Sequence, residues 1–174
     1  RRVVTPPILA LARVSVIRGE GPLEGVPFID DYIRPPEPVQ DFLTRFSGLQ
    51  HGDLDPNMSS HFVTSLKSAY LKLRYLVDHG VIFVGHGLSK DFKIINIFVP
   101  QSQIIDTVQL FRFKGQRMMS LRFLAYHVLK ESIQEHIHDS IEDARTALKL
   151  FRRYEFIHQR QGPVAFDDFL EKLY

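Results

Sequence analysis

An α/β domain with a mixed sheet flanked by helices is the fold class this sequence predicts, on three observations. Two extended stretches open the chain, at 8–16 and 26–33, separated by the turn GEGP (19–22). Their closeness in sequence makes them an antiparallel hairpin. Further on, VIFVG (81–85) and QIIDT (103–107) are short apolar runs that each lead into a helical pattern. A hairpin followed by strands alternating with helices is the order of a sheet that starts antiparallel, continues parallel and carries helices on its faces.

Each element has its own signal. Ile8, Ala10, Ala12, Val14 and Val16 alternate with polar positions such as Arg13 and Ser15, the period-2 pattern of a strand with one buried face. VPFIDDYI (26–33) is its partner, and PPEP (35–38) breaks the chain before a short helix over 39–46 that ends at Gly48. After the polar loop HGDLDPN (51–57), Ser59 or Ser60 is expected to cap a long helix with the stripe Phe62, Leu66, Ala69, Leu73 and Leu76, closed by His79 and Gly80. VIFVG, continuous and apolar, suits a strand covered on both faces. Ser89 opens a helix that Pro100 closes, and Ser120 caps another with Leu121, Leu124, Ala125 and Val128 on one side. HDSIEDARTALKLF (138–151) begins the next helix, and FDDFLEKLY ends the chain as an amphipathic one.

At 174 residues the chain reads as a single domain, 1–174, with enough length for a real core. Its 44% hydrophobic and 24% charged residues exclude a disordered chain, and no apolar run has the length of a membrane span. Without cysteine there are no disulfides or thiolate metal sites, so a metal must sit on carboxylates or histidines; this fits a cytoplasmic setting. A net charge of +2 permits a polyanionic partner without demanding one.

Chemistry concentrates at two places. In HDSIEDA, Ser140-Ile141-Glu142-Asp143 matches a capping box, with Ser140 as the cap, but this leaves His138 unexplained. Asp143 also falls at the edge of the apolar stripe Ala144, Ala147, Leu148 and Phe151, where a carboxylate is costly unless paired or metal-bound. In VGHGLSKDF (84–92), Asp91 lies in the first turn of a helix that follows a buried strand, beyond the strand's carboxyl end, where α/β sheets build their sites. Dipole complementation alone also explains an aspartate there. The GHG turn is a weak phosphate-cradle signal, since Lys90 stands where a third glycine belongs. Carboxylates on two helix N-termini with a histidine beside one suit hard divalent cations and a general base.

The run G-H-G-x-x-x-D-F, then I-I-D-T, S-L-R-F-L-A and H-D-S-x-x-D-A-R-x-A-L-x-L resembles the DEDD exonuclease superfamily in its histidine-bearing branch. GVPFIDDYI (25–33), LKSAYLKLRYLVDHGVIFVGHGLSKDF (66–92) and HDSIEDARTALKLF are similar to the nuclease domains of catalytic subunits of poly(A)-nuclease deadenylation complexes. The resemblance runs over roughly the whole chain. It implies a ribonuclease H-like fold and 3′-to-5′ hydrolysis of mRNA poly(A) tails, releasing 5′-AMP with two Mg2+ ions, for which Mn2+ can substitute. It implies Asp91 and Asp143 as metal ligands and His138 as the general base, so that the 138–143 segment caps a helix and flanks a site at once. His86, Leu88, Phe92 and Arg122 are the residues it suggests for substrate contact. The partners implied are poly(A) RNA, the complex's regulatory subunit, poly(A)-binding protein and upstream domains of the same chain, with no membrane.

One part of the family pattern is missing. Its first motif, Asp-x-Glu on a strand ahead of ILALARVSV, has no counterpart before Ile8, and Asp30, Asp31 and Glu155 lie on other elements. The expectation is that this sequence is the C-terminal part of a larger chain and by itself binds metals poorly. The rivals are a general DEDD-type RNA or DNA exonuclease, a catalytically inactive binding module, and a nucleotide-binding domain using the GHG turn. Several residues have plainer readings: Asp106 as a helix cap, His86 as a structural histidine, His136 as an exposed loop residue, and Tyr75, Phe92 and Tyr126 as core aromatics rather than base-stacking ones. Arg112, Lys114, Arg117 and Arg122 form the densest basic segment, by default a solubilising one.

Overall fold

The structure, a computed structural model, describes residues 10–134 and 137–174. β1 (Arg13–Ile17) and β2 (Pro27–Ile33) form the antiparallel hairpin, with Val14 opposite Asp31 and a bulge between Val16 and Ile17. Beyond it lie α1 (Thr44–Ser47) and β3 (Val63–Thr64), which joins β2 in parallel, so the first sheet has the order β1-β2-β3. α2 (Leu66–Asp78) follows, then β4 (Phe83–Gly85), α3 (Leu88–Ile95), β5 (Ile104–Asp106) and α4 (Thr107–Leu110). β4 and β5 pair in parallel, Val84 opposite Ile105. α5 (Leu121–Leu124) runs into a π turn over 125–129. α6 (Ser140–Glu171) kinks at Gly162-Pro163 and packs on both β1 and β4, so one helix spans the two groups of strands.

The two larger hydrophobic cores among the described residues hold this together. Val14, Ile33, Ala69, Leu73, Phe83 and Phe92 join the hairpin, α2, β4 and α3. Phe111, Leu124 and Leu150, all at 0% exposure, join α4 and α5 to α6, with Phe166 and Leu170 beyond the kink. Each such side chain contributes about 2 kcal/mol by leaving water. Ser120 caps α5 as expected, its Oγ accepting from Phe123 N–H at 3.2 Å, and the face Leu121, Leu124, Ala125 and Val128 is buried.

Several boundaries differ from those the sequence suggests. The first strand begins at Arg13; Ala10 to Ala12 are not strand, and Ile8 lies outside the described residues, as does His136. The second helix is capped not by Ser59 or Ser60 but by Ser65, whose Oγ accepts from Ser68 N–H. The stretch before it pairs with β2, which leaves Phe62 63% exposed, and the buried stripe is Ala69, Leu73 and Val77. Val81 and Ile82 are exposed, so only Phe83 to Gly85 act as a strand. The third helix has no serine cap and stops at Ile95, where Asn96 takes a left-handed conformation, well before Pro100.

Candidate active site

The end of β4 is built around Asp106. Its Oδ1 accepts from Gly87 N–H at 2.9 Å and Val108 N–H at 3.0 Å, and its Oδ2 accepts from Leu88 N–H at 3.0 Å. One carboxylate therefore caps both α3 and α4, a wider role than the single cap the sequence suggests. It also occupies the amides that a phosphate-cradling GHG turn needs, which removes that reading. A Cβ on Gly85 would lie 2.5 Å from Leu88 Cδ2, so glycine at 85 lets Leu88 fold back over the strand end. Thr107, fully buried, donates its hydroxyl to Gly85 O at 3.0 Å. With that proton spent, His86 Nδ1, 2.9 Å from Thr107 Oγ1, is the donor of their hydrogen bond. Burial lowers the His86 pKa against the opposing field of Asp106.

Asp91 stands one turn into α3. Burial of its carboxyl and then the charge of Asp106 push its pKa up, Lys90 only partly opposing them. Asp143 stands in the first turn of α6 and is also pushed up, first by burial and further by Glu142, against the hydrogen bond from Gln134 and the charge of His138. Gln134 Nε2 donates to Asp143 Oδ1 at 2.7 Å, and His138 Nδ1 lies 3.8 Å from Asp143 Oδ2 with its ring half-exposed. Neither aspartate has a lysine or arginine partner among the described residues.

The start of α6 is fastened to the hairpin. Asp139, not Ser140, is the N-cap: its Oδ1 accepts from Ile141 N–H at 2.8 Å and Glu142 N–H at 3.1 Å. Ser140 is already helical and bonds instead to Ser15, Oγ to Oγ 2.5 Å. Ser15 donates onward to Asp30 Oδ1 at 2.8 Å, and Arg13 grips both Asp30 oxygens at 2.7 and 3.0 Å. Burial raises Asp30, but these hydrogen bonds outweigh it and hold the carboxyl below its usual range. Arg13 Nη1 reaches Asp139 Oδ2 at 3.5 Å. On the other side, Gly48, with φ +73°, lies directly under the Ile137 side chain, the residue before His138.

Of the sequence-predicted residues, the structure brings His138 and Asp143 together. No hydrogen bond or ion pair among the described residues joins Asp91 to either. Phe92 is a core residue packed edge-on against Phe83 at 5.6 Å, so its ring is not free to stack on a base. Tyr75 and Tyr126, expected in the core, are 62% and 60% exposed. Leu88 is half-buried, and Arg122 is exposed on α5 without an ion pair among the described residues. Asp30 and Asp31 are taken by Arg13 and Lys72, not by a metal site. Gln134 was not foreseen, and nothing in its local sequence signals it; Asp139 was hidden by the serine beside it.

As a divalent-metal site the donors are of the right kind. They are two hard oxygen groups, each raised in pKa and without a lysine or arginine partner among the described residues, the condition a bound dication relieves. Among the described residues no three Asp, Glu or His side chains converge into a closed cage, so each carboxylate fits as one contributor to a larger ligand set.

A mixed α/β framework with carboxylates and a histidine on the N-terminal turns of its helices is the plan of a ribonuclease H-like nuclease. The sequence pattern of the RNase_T family, described as exonuclease, matches residues 3–151, and the chain belongs to that family. It is 54% identical over 173 residues to the PAN2-PAN3 deadenylation complex catalytic subunit PAN2 of Gallus gallus, covering 99% of this chain and 14% of that protein. Among solved structures it is similar to the Neurospora crassa Pan2 catalytic unit, protease and nuclease domain, with TM-score 0.90 and 53% identity, covering 95% of this chain and 27% of that one. The Saccharomyces cerevisiae Pan2 pseudoubiquitin hydrolase-RNA exonuclease module in complex with A7 RNA matches with TM-score 0.90 and 46% identity, covering 100% of this chain and 29% of that one. The chain thus spans about one seventh of the length of the curated relative it matches.

Proposed function

We propose that this domain is a poly(A)-directed 3′-to-5′ exoribonuclease, a deadenylase that shortens mRNA tails and releases 5′-AMP. The observation that carries the reading is the His138–Asp143 pair, Nδ1 to Oδ2 3.8 Å, presented at the start of α6 on a framework similar to nucleases of that kind. Asp91 and Asp143 are assigned as ligands of two divalent ions, Mg2+ with Mn2+ as a substitute. When bound, such ions supply Lewis-acid stabilisation of the attacking and leaving oxygens. The half-exposed His138 takes the proton from a water that adds to the last phosphorus. The bond from that phosphorus to the penultimate 3′ oxygen breaks, that oxygen gains a proton from solvent, and the 5′-mononucleotide leaves. Leu88, His86 and Arg122 are assigned to the substrate side, with the buried Phe92 only supporting the wall behind them.

The relatives' naming with PAN3 supports a regulatory subunit as partner, and we extend the reading to poly(A)-binding protein, upstream domains of the same chain and a cytoplasmic setting. No helix among the described residues is long and apolar enough to cross a membrane. The test is a nuclease assay on the full-length protein with a 5′-labelled RNA ending in adenosines, with Mg2+ or with chelator, beside Asp91→Ala. Stepwise 3′ shortening that requires both the metal and Asp91 is the expected result. RNA binding without cleavage overturns the reading in favour of a binding module, and equal rates on a non-adenosine tail reduce it to a general exonuclease.

A further inference from the structure

Residues 130–134, which follow the π turn after α5, are a built device rather than a spacer. The chain leaves the π turn at Lys130 in a left-handed conformation, φ 61°. Glu131 is fixed to Lys149, two turns along α6, by two contacts of 2.8 Å. Ile133 is 4% exposed and belongs to the core between α5 and α6. These anchors deliver Gln134, itself left-handed at φ 54°, onto the first turn of α6. Its backbone N–H points at Glu142 Oε2, 3.4 Å away, and its side-chain amide donates to Asp143 Oδ1 at 2.7 Å. A non-glycine residue in this conformation costs on the order of 1 kcal/mol, so the ionic and buried anchors just before it, with its own bonds to α6, hold it there.

The amide engages Oδ1, while Oδ2 is the oxygen that faces His138. A carboxylate with one oxygen tied in this way is held in orientation, with Oδ2 the oxygen that Gln134 leaves untouched. We infer that Gln134 is a positioning residue for the nuclease reaction: it holds Asp143 by Oδ1, so that Oδ2 stays turned to His138 and would be available to a divalent ion. The inference rests on the assignment of Asp143 as a metal ligand. Outer partners that orient ligating groups in this way typically govern affinity by 10- to 100-fold.

The experiment uses the full-length protein and two substitutions, Gln134→Ala and Gln134→Met, the second keeping length and bulk while removing the donor. Mn2+ binding is read by calorimetry without RNA, kcat and KM on an oligoadenylate RNA, and folding by thermal melting. The expected result is Mn2+ affinity weakened about tenfold or more in both variants, with a comparable fall in kcat at little-changed KM. A Gln134→Met protein that melts like wild type and matches it in Mn2+ affinity and kcat overturns the inference. A wild type without metal-dependent cleavage refutes the proposed function instead, so the two failures are distinguishable.

Discussion

Asp139→Ala isolates what the cap of α6 does. The substitution removes an oxygen that accepts from two amides, Ile141 and Glu142, a loss of about 1 kcal/mol for an N-cap. The 3.5 Å contact to Arg13 adds at most about 0.5 kcal/mol, since Asp139 is 53% exposed and the pair is screened. For a domain of this size, each kcal/mol lowers the melting temperature by about 2–4 °C, so a drop of about 3–6 °C is expected. Asparagine caps nearly as well as aspartate, so Asp139→Asn recovers most of it. His138 precedes the cap by one residue, and fraying of the first turn shifts its ring, so kcat is expected to fall about tenfold or more. Differential scanning fluorimetry and the RNA-shortening assay read the two effects. An alanine variant that melts within a degree of wild type refutes the cap assignment; an asparagine variant as weak as the alanine one shows that the charge, not the cap, mattered.

Other perturbations have equally definite outcomes. Lys72→Met strands the Asp31 carboxylate, 3% exposed in its side chain, whose two oxygens it holds at 2.8 and 2.9 Å. Uncompensated buried charges cost about 3–5 kcal/mol, the lower end applying because Lys72 is partly exposed, and a calorimetric melt lowered by about 6–12 °C is expected. Asp143→Asn removes a carboxylate whose folded pKa is raised: its unfavourable contribution is absent below the ordinary carboxylate range near pH 4 and grows as pH rises through the folded value. Without divalent ions, the variant should therefore melt above wild type at pH 7 and level with it near pH 3, and on the proposed assignment it should gain less than wild type from added Mg2+; a lower melt at pH 7 contradicts this. Gly48→Ala meets both a left-handed backbone and the Ile137 side chain, so loss of about 1–2 kcal/mol with a fall in kcat is expected, and an unchanged rate would show that Ile137 does not set His138.

The parts of the fold that local chemistry decides were legible from residues alone. The hairpin, the strand-to-helix units at 81–95 and 103–110, and the Ser120 cap with its apolar face all rest on periodicity and capping within a dozen residues. Failures occurred where neighbours in space decide. Two potential caps adjoin at the start of α6, and only the extended backbone of Asp139, φ −110°, ψ 120°, selects it over Ser140. Val63 and Thr64 form a strand because β2 offers a free edge, which the two residues alone cannot signal. Within the candidate site, residue types pointed to Asp91, His138 and Asp143. Gln134 escaped notice because its role depends on a left-handed backbone and on the adjacent core anchor Ile133, neither of which residue type alone signals. Tyr126 was assigned to the core by helical spacing, whereas the π turn after Leu124 alters that spacing and leaves the ring in solvent.

Asp106 has a consequence for any nucleic acid that approaches. By claiming the amides of Gly87, Leu88 and Val108, it leaves those three N–H groups unavailable to a phosphate at the end of the parallel strands and places its own carboxylate near Asp91. A phosphodiester arriving there meets two neighbouring carboxyl groups, with Lys90 the cation that partly offsets them. On the proposed function, the two carboxyl groups set a repulsion that counter-charge must offset before the backbone of RNA settles at the sheet end.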